Sequence, residues 1–415
     1  MKKIFIHAGP GKTGTSAIQF ALLNNRELLQ SKGIFYPDHP ADENNVSSGN
    51  FSRVLSKKQS KSFVVDTKKV KQLKREFDSS LCDVMLLSSE HFFPLLTELN
   101  QAFENVTFIL YLRNPIDVIE SGYNQAVKRA FKTEKLQAKR HVEFRVLSLI
   151  EQLYENNSEL DIILRPYSSQ LFVRNNLISD LLSVFDIDFI VDEDQSINPS
   201  YCFEALELKR QLNHHFNDKS AVKIDKILQS YTEGKKDFSL LSPDVYEALR
   251  IKVTHQLEQF ISRFSLTHLQ PYLQELQNQT QKSFVQQKAS VEDYESVLRF
   301  LEKRDGSLYL QIIDVIKDSE VVDSNLHLAV NNNPAQAQRQ PPVTVSDEQE
   351  DYSFISKVVE EIKAKPNINE VRFCRELGLA LEKAGRIDEA VMFFKAVLYF
   401  KPDAEMIKNK LKKYT

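Results

Sequence analysis

A short apolar run, Lys3 to Ala8, breaks into Gly9-Pro10-Gly11-Lys12-Thr13-Gly14-Thr15-Ser16 and passes straight into a helix-periodic stretch. This succession constrains the fold more than any other feature. The chain has 10 glycines in 415 residues, and Gly9, Gly11 and Gly14 all fall in this one turn. Glycine allows positive φ and close approach of a ligand to the backbone. A strand, a glycine-rich turn and a helix N-terminus make an anion site, because backbone N–H groups point outward and the helix dipole adds positive potential. Lys12 adds a full charge, and Thr13, Thr15 and Ser16 add hydroxyl donors. Thr15 is the expected N-cap.

The rest of the N-terminal half repeats the alternation. Residues 3–8 read as a buried strand and Ser16 to Lys32 as an amphipathic helix, with Ile18, Ala21, Leu22, Leu28 and Leu29 on one stripe and Gly33 as its C-cap. Asp83 to Phe93 reads as a strand ending at Ser88 or Ser89, and Val106 to Pro115 as another. A helix then opens at Pro115, where the missing N–H costs nothing. A helix around Val142 to Asn156 precedes a fourth strand, Leu160 to Tyr167. Strands alternating with helices predict an α/β domain with a mostly parallel sheet. From Phe203 to about Lys317 the pattern is helical, with no competing strand.

Lysine and arginine number 54 against 57 acidic residues, a net charge of -3. Bulk electrostatics therefore favours neither nucleic acid nor an anionic membrane, and anion binding must be local. The three cysteines, Cys82, Cys202 and Cys374, match no zinc spacing or disulfide framework. No apolar run is long enough to span a bilayer. These features suit a cytoplasmic protein, with peripheral attachment to a membrane through partners as an option.

The turn is not a Walker A loop. With Gly11-Lys12-Thr13 as its end, G-x-x-x-x-G-K-[ST] needs glycine at position 6, which is Ile6. The strands ending at Ser88 and Leu112 also lack a terminal aspartate. A second segment, Tyr111 to Gln125, places Arg113 at a strand end and Ser121 eight residues on. A guanidinium fork and a hydroxyl suit a second phosphate, so a ligand with separated phosphate groups is expected.

Together, HAGPGKTGTSAIQ and YLRNPIDVIESGYNQ resemble the two signature segments of sulfotransferases that use 3′-phosphoadenosine 5′-phosphosulfate (PAPS). The first resembles the 5′-phosphosulfate loop, with Gly11, Lys12, Thr13, Gly14, Thr15 and Ser16 in matching places; the second resembles the 3′-phosphate segment, with Arg113 and Ser121 matching. LLSSEHF, LRPYSSQLF and NPSYCFEALELKRQLN follow the bacterial carbohydrate-type branch. The C-terminal glycine-and-lysine segment of the cytosolic hormone and phenol enzymes is not visible. The resemblance implies an α/β, P-loop-like three-layer fold with a helical extension, and in-line sulfuryl transfer from PAPS to a hydroxyl or amine, leaving adenosine 3′,5′-bisphosphate without need of a metal. Lys12 and the loop amides are placed to meet charge on the leaving phosphate. Glu90 resembles the catalytic glutamate of glycan sulfotransferases, and His91 is its rival as base. Neighbours on an extended segment point opposite ways, so one of the two is expected to face the cofactor. His7 is read as a packing or loop-orienting residue, Asp117 and Glu120 as solvated, and Tyr123 as packing under the Arg113 turn. Arg165 and Tyr167 are placed either in the structure or at the substrate. The acceptor is expected to be a carbohydrate or glycolipid, held by Asp38 to Thr67 and the segment after Asn198.

The C-terminal Glu376 to Asp403 places Leu377, Gly378, Ala380, Gly385, Ala390, Phe394, Ala396 and Pro402 in the small-and-large pattern of a tetratricopeptide (TPR) repeat. Gly385 would end the first helix, and helices near Phe354 to Lys363 and Glu405 to Lys412 would flank the unit. A plain helical hairpin is the other reading. One repeat cannot bury its own face, so docking on the rest of the chain or on a protein partner is expected. The expected organisation is a sulfotransferase domain over 1–325 (core 1–200, helical part 200–325), a linker over 326–350 and a TPR-like segment over 351–415. Two other readings stay open: an ATP-dependent kinase with a variant phosphate loop, and a non-catalytic nucleotide-binding interaction protein.

Overall fold

The computed structural model describes residues 2–40, 47–58, 62–104, 106–137, 142–156, 160–187, 200–217, 219–332, 368–383 and 386–414. They form two compact units, Met1–Asn332 and Asn333–Thr415.

In the first unit the chain runs β1 (Lys3–His7), α1 (Thr15–Asn24), α2 (Arg26–Ser31), β2 (Ile34–Phe35), the antiparallel hairpin β3 (Leu55–Lys57) and β4 (Phe63–Val65), then α3 (Thr67–Ser79) and β5 (Val84–Ser88). It continues through α4 (Leu96–Phe103), β6 (Val106–Leu112), α5 (Pro115–Arg129), α6 (Arg145–Asn156), β7 (Asp161–Pro166) and α7 (Leu177–Ser183). Five strands pair in the order β2-β5-β1-β6-β7, and every pairing is parallel. The expected helix over 16–32 is two helices, because Asn25 leaves helical geometry and caps both.

Alternate strand residues feed opposite faces, as the pleat requires. Ile4, Ile6, Met85, Leu87, Phe108 and Leu110 pack with Val70, Leu99, Ile150 and Leu257 on one face. Leu86, Ile109 and Tyr111 pack with Ile18, Leu22, Leu29 and Leu181 on the other. The result is three layers, helix on sheet on helix. Chain order reverses at β1: β2 and β5 lie to one side, β6 and β7 to the other. A crevice beyond the carboxyl ends of strands at such a reversal is where open α/β sheets hold ligands.

The helical part comprises α8 (Phe203–Leu212), α9 (Lys219–Gln229), α10 (Pro243–Phe264), α11 (Gln270–Asn278), α12 (Val291–Arg304), α13 (Gly306–Lys317) and α14 (Ser324–Asn331). It does contain strand, contrary to expectation: β8 (Phe238–Ser239) and β9 (Ser283–Phe284) pair in parallel. Two residues each are too few to register as a period. The residues expected to begin the linker at 326 continue α14, with Leu326, Ala329 and Val330 buried.

In the second unit, helices Ile368–Lys383 and Ile387–Phe400 form a hairpin followed by Glu405–Tyr414. Cys374, Ala390, Phe393, Phe394, Val397 and Ile407 make its core. A Cβ on Gly378 would sit 2.7 Å from the Phe394 ring, so this glycine lets the helices close. Gly385 and the helix expected near 354–363 lie outside the described residues. The structure shows a helical hairpin with a third helix; the TPR assignment rests on the sequence pattern.

Candidate functional site

The turn after β1 is built for close approach. Gly14 is the N-cap of α1 with φ 70°. A Cβ there would collide with Leu177 and crowd the Tyr167 hydroxyl at 3.3 Å. Thr15, expected as the N-cap, is instead the first helical residue. Because glycine has no side chain to cap with, the first-turn N–H groups are left for a ligand. Thr13 is fully buried and turned inward, its hydroxyl donating to the Pro10 carbonyl at 2.6 Å. Ser16 is partly exposed on the first turn, and Gly11 is exposed at the tip.

Lys12 is half-buried. Burial and the neighbouring Arg113 hold its ammonium below the ordinary lysine range, while Glu90 works in the opposite direction. These three residues come from the ends of three adjacent strands. Arg113 Nη1 donates to the Lys12 carbonyl, and its guanidinium lies 5.0 Å from the centroid of the Tyr167 ring. Glu90 follows β5 and passes under the turn: a Cβ on Gly9 would be 3.2 Å from Glu90 Cα. Gln19 on α1, fully buried, donates to Glu90 Oε2 at 3.4 Å.

Glu90 and His91 do face differently, but as the first residues of a 3₁₀ turn, Glu90–Leu95, and not as neighbours on the expected extended segment. The His91 ring packs against Phe51 at 4.6 Å and Phe63 at 4.8 Å between centroids. Glu90 is the member of the pair at the turn. Ser121 lies two helical turns into α5 and lines a cleft of about 290 Å³ together with Arg113, Asn124 and Tyr201.

Several expectations need correction. Asp117 and Glu120 are not solvated: burial raises both carboxyls, and Glu120 accepts from Ser239 Oγ at 2.8 Å and Leu240 N at 2.7 Å. Tyr123 belongs to the helical core, its hydroxyl donating to the Glu134 carbonyl at 3.0 Å. Of the two roles left open for Arg165, the structure shows the structural one: it forks onto Asp180 at 2.6 and 2.5 Å, with Tyr111 donating to the same carboxylate at 2.8 Å. Tyr111 in turn meets Tyr167 edge-on at 6.4 Å between ring centroids, and Arg113 lies over the Tyr167 ring.

Sequence reasoning passed over Gln19 as a site residue, and for Tyr167 it left a structural and a site role open without pointing to Arg113. Gln19 stands four residues after Thr15, on the same helical face, a spacing that points it at the turn. In the expected acceptor segment, Asn50 Oδ1 accepts from Ser88 N at 2.9 Å and Ser89 Oγ donates to the Ser48 carbonyl at 2.6 Å. Both contacts bring this segment to the end of β5. Asn198 lies outside the described residues.

His7 is fully buried, its Nδ1 2.8 Å from Ser88 Oγ, joining β1 to β5 behind the turn. Burial lowers its pKa from 6.5 to about 3. The native imidazole therefore stays neutral while the unfolded chain takes up a proton, so His7's contribution is present above pH 6.5 and is lost as pH falls toward 3. In urea unfolding, the stability gap between wild type and His7→Gln is expected to narrow by about 1.4 kcal/mol per pH unit below that point. A gap that stays constant down to about pH 5 would contradict it.

No family model matches the chain. An uncharacterized protein of Archaeoglobus fulgidus is 34% identical over 143 residues, 32% of this chain and 39% of that protein, so the chain spans well under half of that relative. Among solved structures, a sulfotransferase from Alicyclobacillus acidocaldarius aligns with a TM-score of 0.33 and 15% identity, covering 63% of this chain and 95% of its own. Among the described residues no group of three or more His, Cys, Asp or Glu is placed to hold a metal ion, and no helix is long and apolar enough to cross a membrane.

Proposed function

We propose that this chain is a PAPS-dependent sulfotransferase acting on a hydroxyl or amine of a carbohydrate or glycolipid in the cytoplasm. One observation carries the reading: the Lys12 turn, Glu90 and Arg113 meet at the carboxyl ends of β1, β5 and β6, three neighbouring parallel strands. Two cations and one carboxylate at a crevice floored by a helix N-terminus fit a nucleotide with phosphate at two positions. Bound PAPS would supply the sulfuryl group and its phosphate leaving group.

The chain's own residues have separable tasks in this reading. Lys12 and the first-turn amides of α1 hold the phosphate from which the sulfuryl group departs. Such preorganised charge is most effective where water is excluded. Glu90, steadied by Gln19, accepts the proton of the acceptor hydroxyl. Arg113 and Ser121 hold the 3′-phosphate. The C-terminal helices would recruit a partner or dock on the rest of the chain.

Titration calorimetry with adenosine 3′,5′-bisphosphate, AMP and ATP tests the reading. The bisphosphate is expected to bind well ahead of AMP; equal binding, or turnover of ATP with magnesium, would favour the kinase instead. A screen with labelled sulfate donor then identifies the acceptor. Arg113→Ala is expected to weaken the bisphosphate about thirtyfold, the worth of a charged hydrogen bond or two, and AMP far less. Because Arg113 also holds the Lys12 carbonyl, the ratio of the two affinities is the informative quantity.

A further inference from the structure

The cleft that contains Arg113 and Ser121 has a second wall, and that wall comes from the helical part. Its side chains include Lys236, Phe238, Gln279 and Lys282. Phe238 lies in β8, Lys236 two residues before it, and Gln279 and Lys282 just before β9; the two strands pair with Phe238 opposite Ser283 and Ser239 opposite Phe284.

This strap is clamped onto α5. Glu120 takes both the Ser239 hydroxyl and the Leu240 amide. Gln281 donates to Ser239 Oγ at 3.0 Å and to the Leu241 carbonyl at 2.6 Å. Asn114, the N-cap of α5, donates to Gln279 Oε1 at 2.7 Å. The two lysines are thus carried on a fixed frame while their own side chains are exposed. Lys282 makes a loose pair with Asp237 at 3.6 Å, both largely in solvent. Such a pair contributes little and is readily exchanged for a better anion.

Two carboxyl side chains, Asp117 and Glu120, also line the cleft. The Glu120 carboxylate is taken up by the strap. Burial raises the Asp117 carboxyl, against the pull of Arg113 and Lys282. Phe238, held edge-to-face against Phe203 at 5.7 Å, offers apolar surface beside the cations. A cation on each side of an aromatic wall suits the phosphorylated ribose and base of a nucleotide.

We infer that Lys236 and Lys282 on the β8/β9 strap close the nucleotide site from the helical side and select for a phosphate on the 3′ position of the ribose. The inference rests on the sulfotransferase reading and adds specificity-determining residues that lie outside both signature segments. It makes the helical part a component of the nucleotide site.

The test is calorimetric titration of adenosine 3′,5′-bisphosphate and AMP into the full-length wild type, Lys282→Ala and the Lys236→Ala/Lys282→Ala double variant, with thermal melting alongside. Bisphosphate affinity is expected to fall about tenfold in the single variant and further in the double, with AMP unchanged and melting preserved. Lys282→Arg is expected to retain discrimination. A discriminating wild type whose double variant discriminates equally well overturns this inference alone. A wild type that binds both nucleotides alike overturns the parent reading and this one with it.

Discussion

Lys12→Ala is expected to lower sulfuryl transfer by about 10²–10³-fold, the usual cost of removing one preorganised donor from a developing anion. The same substitution should leave the melting temperature unchanged or slightly higher. Lys12 is half-buried beside Arg113, and both factors penalise its charged form. Removing the ammonium removes that penalty, while alanine keeps a Cβ at a position whose φ is 74°. The two measurements must therefore part company. Labelled-sulfate transfer and a thermal melt on one preparation decide the matter. Near-full turnover would remove Lys12 from the chemistry, whereas a collapsed melt would make it a structural residue.

Glu90→Gln is expected to lower turnover about a thousandfold, within the range for loss of a positioned general base. Glutamine keeps the shape and the contact with Gln19 but cannot accept a proton. Nucleotide affinity should change little, because in the proposed reaction the carboxylate acts on the acceptor. His91→Ala offers the internal contrast. Its ring packs against Phe51 and Phe63, so its loss should appear in stability before it appears in turnover. A Glu90→Gln variant with near-full activity on a confirmed acceptor would shift the base to water or to His91.

Much of the core was legible because it is written in local order. Apolar runs mark β1, β5, β6 and β7, and each begins within a residue of its expected place. Pro115 opens α5 as its fixed φ requires, with Asn114 capping Ile116 N. Local rules did less well where a side chain's role depends on a distant partner. Thr15 looked like an N-cap, yet Gly14 takes that place, at a positive φ and with Leu177, far along the chain, leaving no room for a Cβ. Asp117 and Glu120 looked solvated on a helix surface, but both are partly buried by the fold, Glu120 under the strap from 239–240. Arg165 and Tyr167 looked alike, but Asp180 takes the first and leaves the second to support Arg113.

From the sequence alone came the order of strands and helices, the glycine-rich turn and the residue types suited to holding phosphate, since each depends on neighbours within a few positions. Only the tertiary structure decided which of them meet. It set Arg113 on the Lys12 carbonyl, turned Glu90 toward the turn and His91 away, and brought Lys236 and Lys282 across from the helical part. Contacts of that kind arise from the parallel register of β1, β5 and β6 and from packing between segments more than a hundred residues apart. No pattern of nearby residues encodes them.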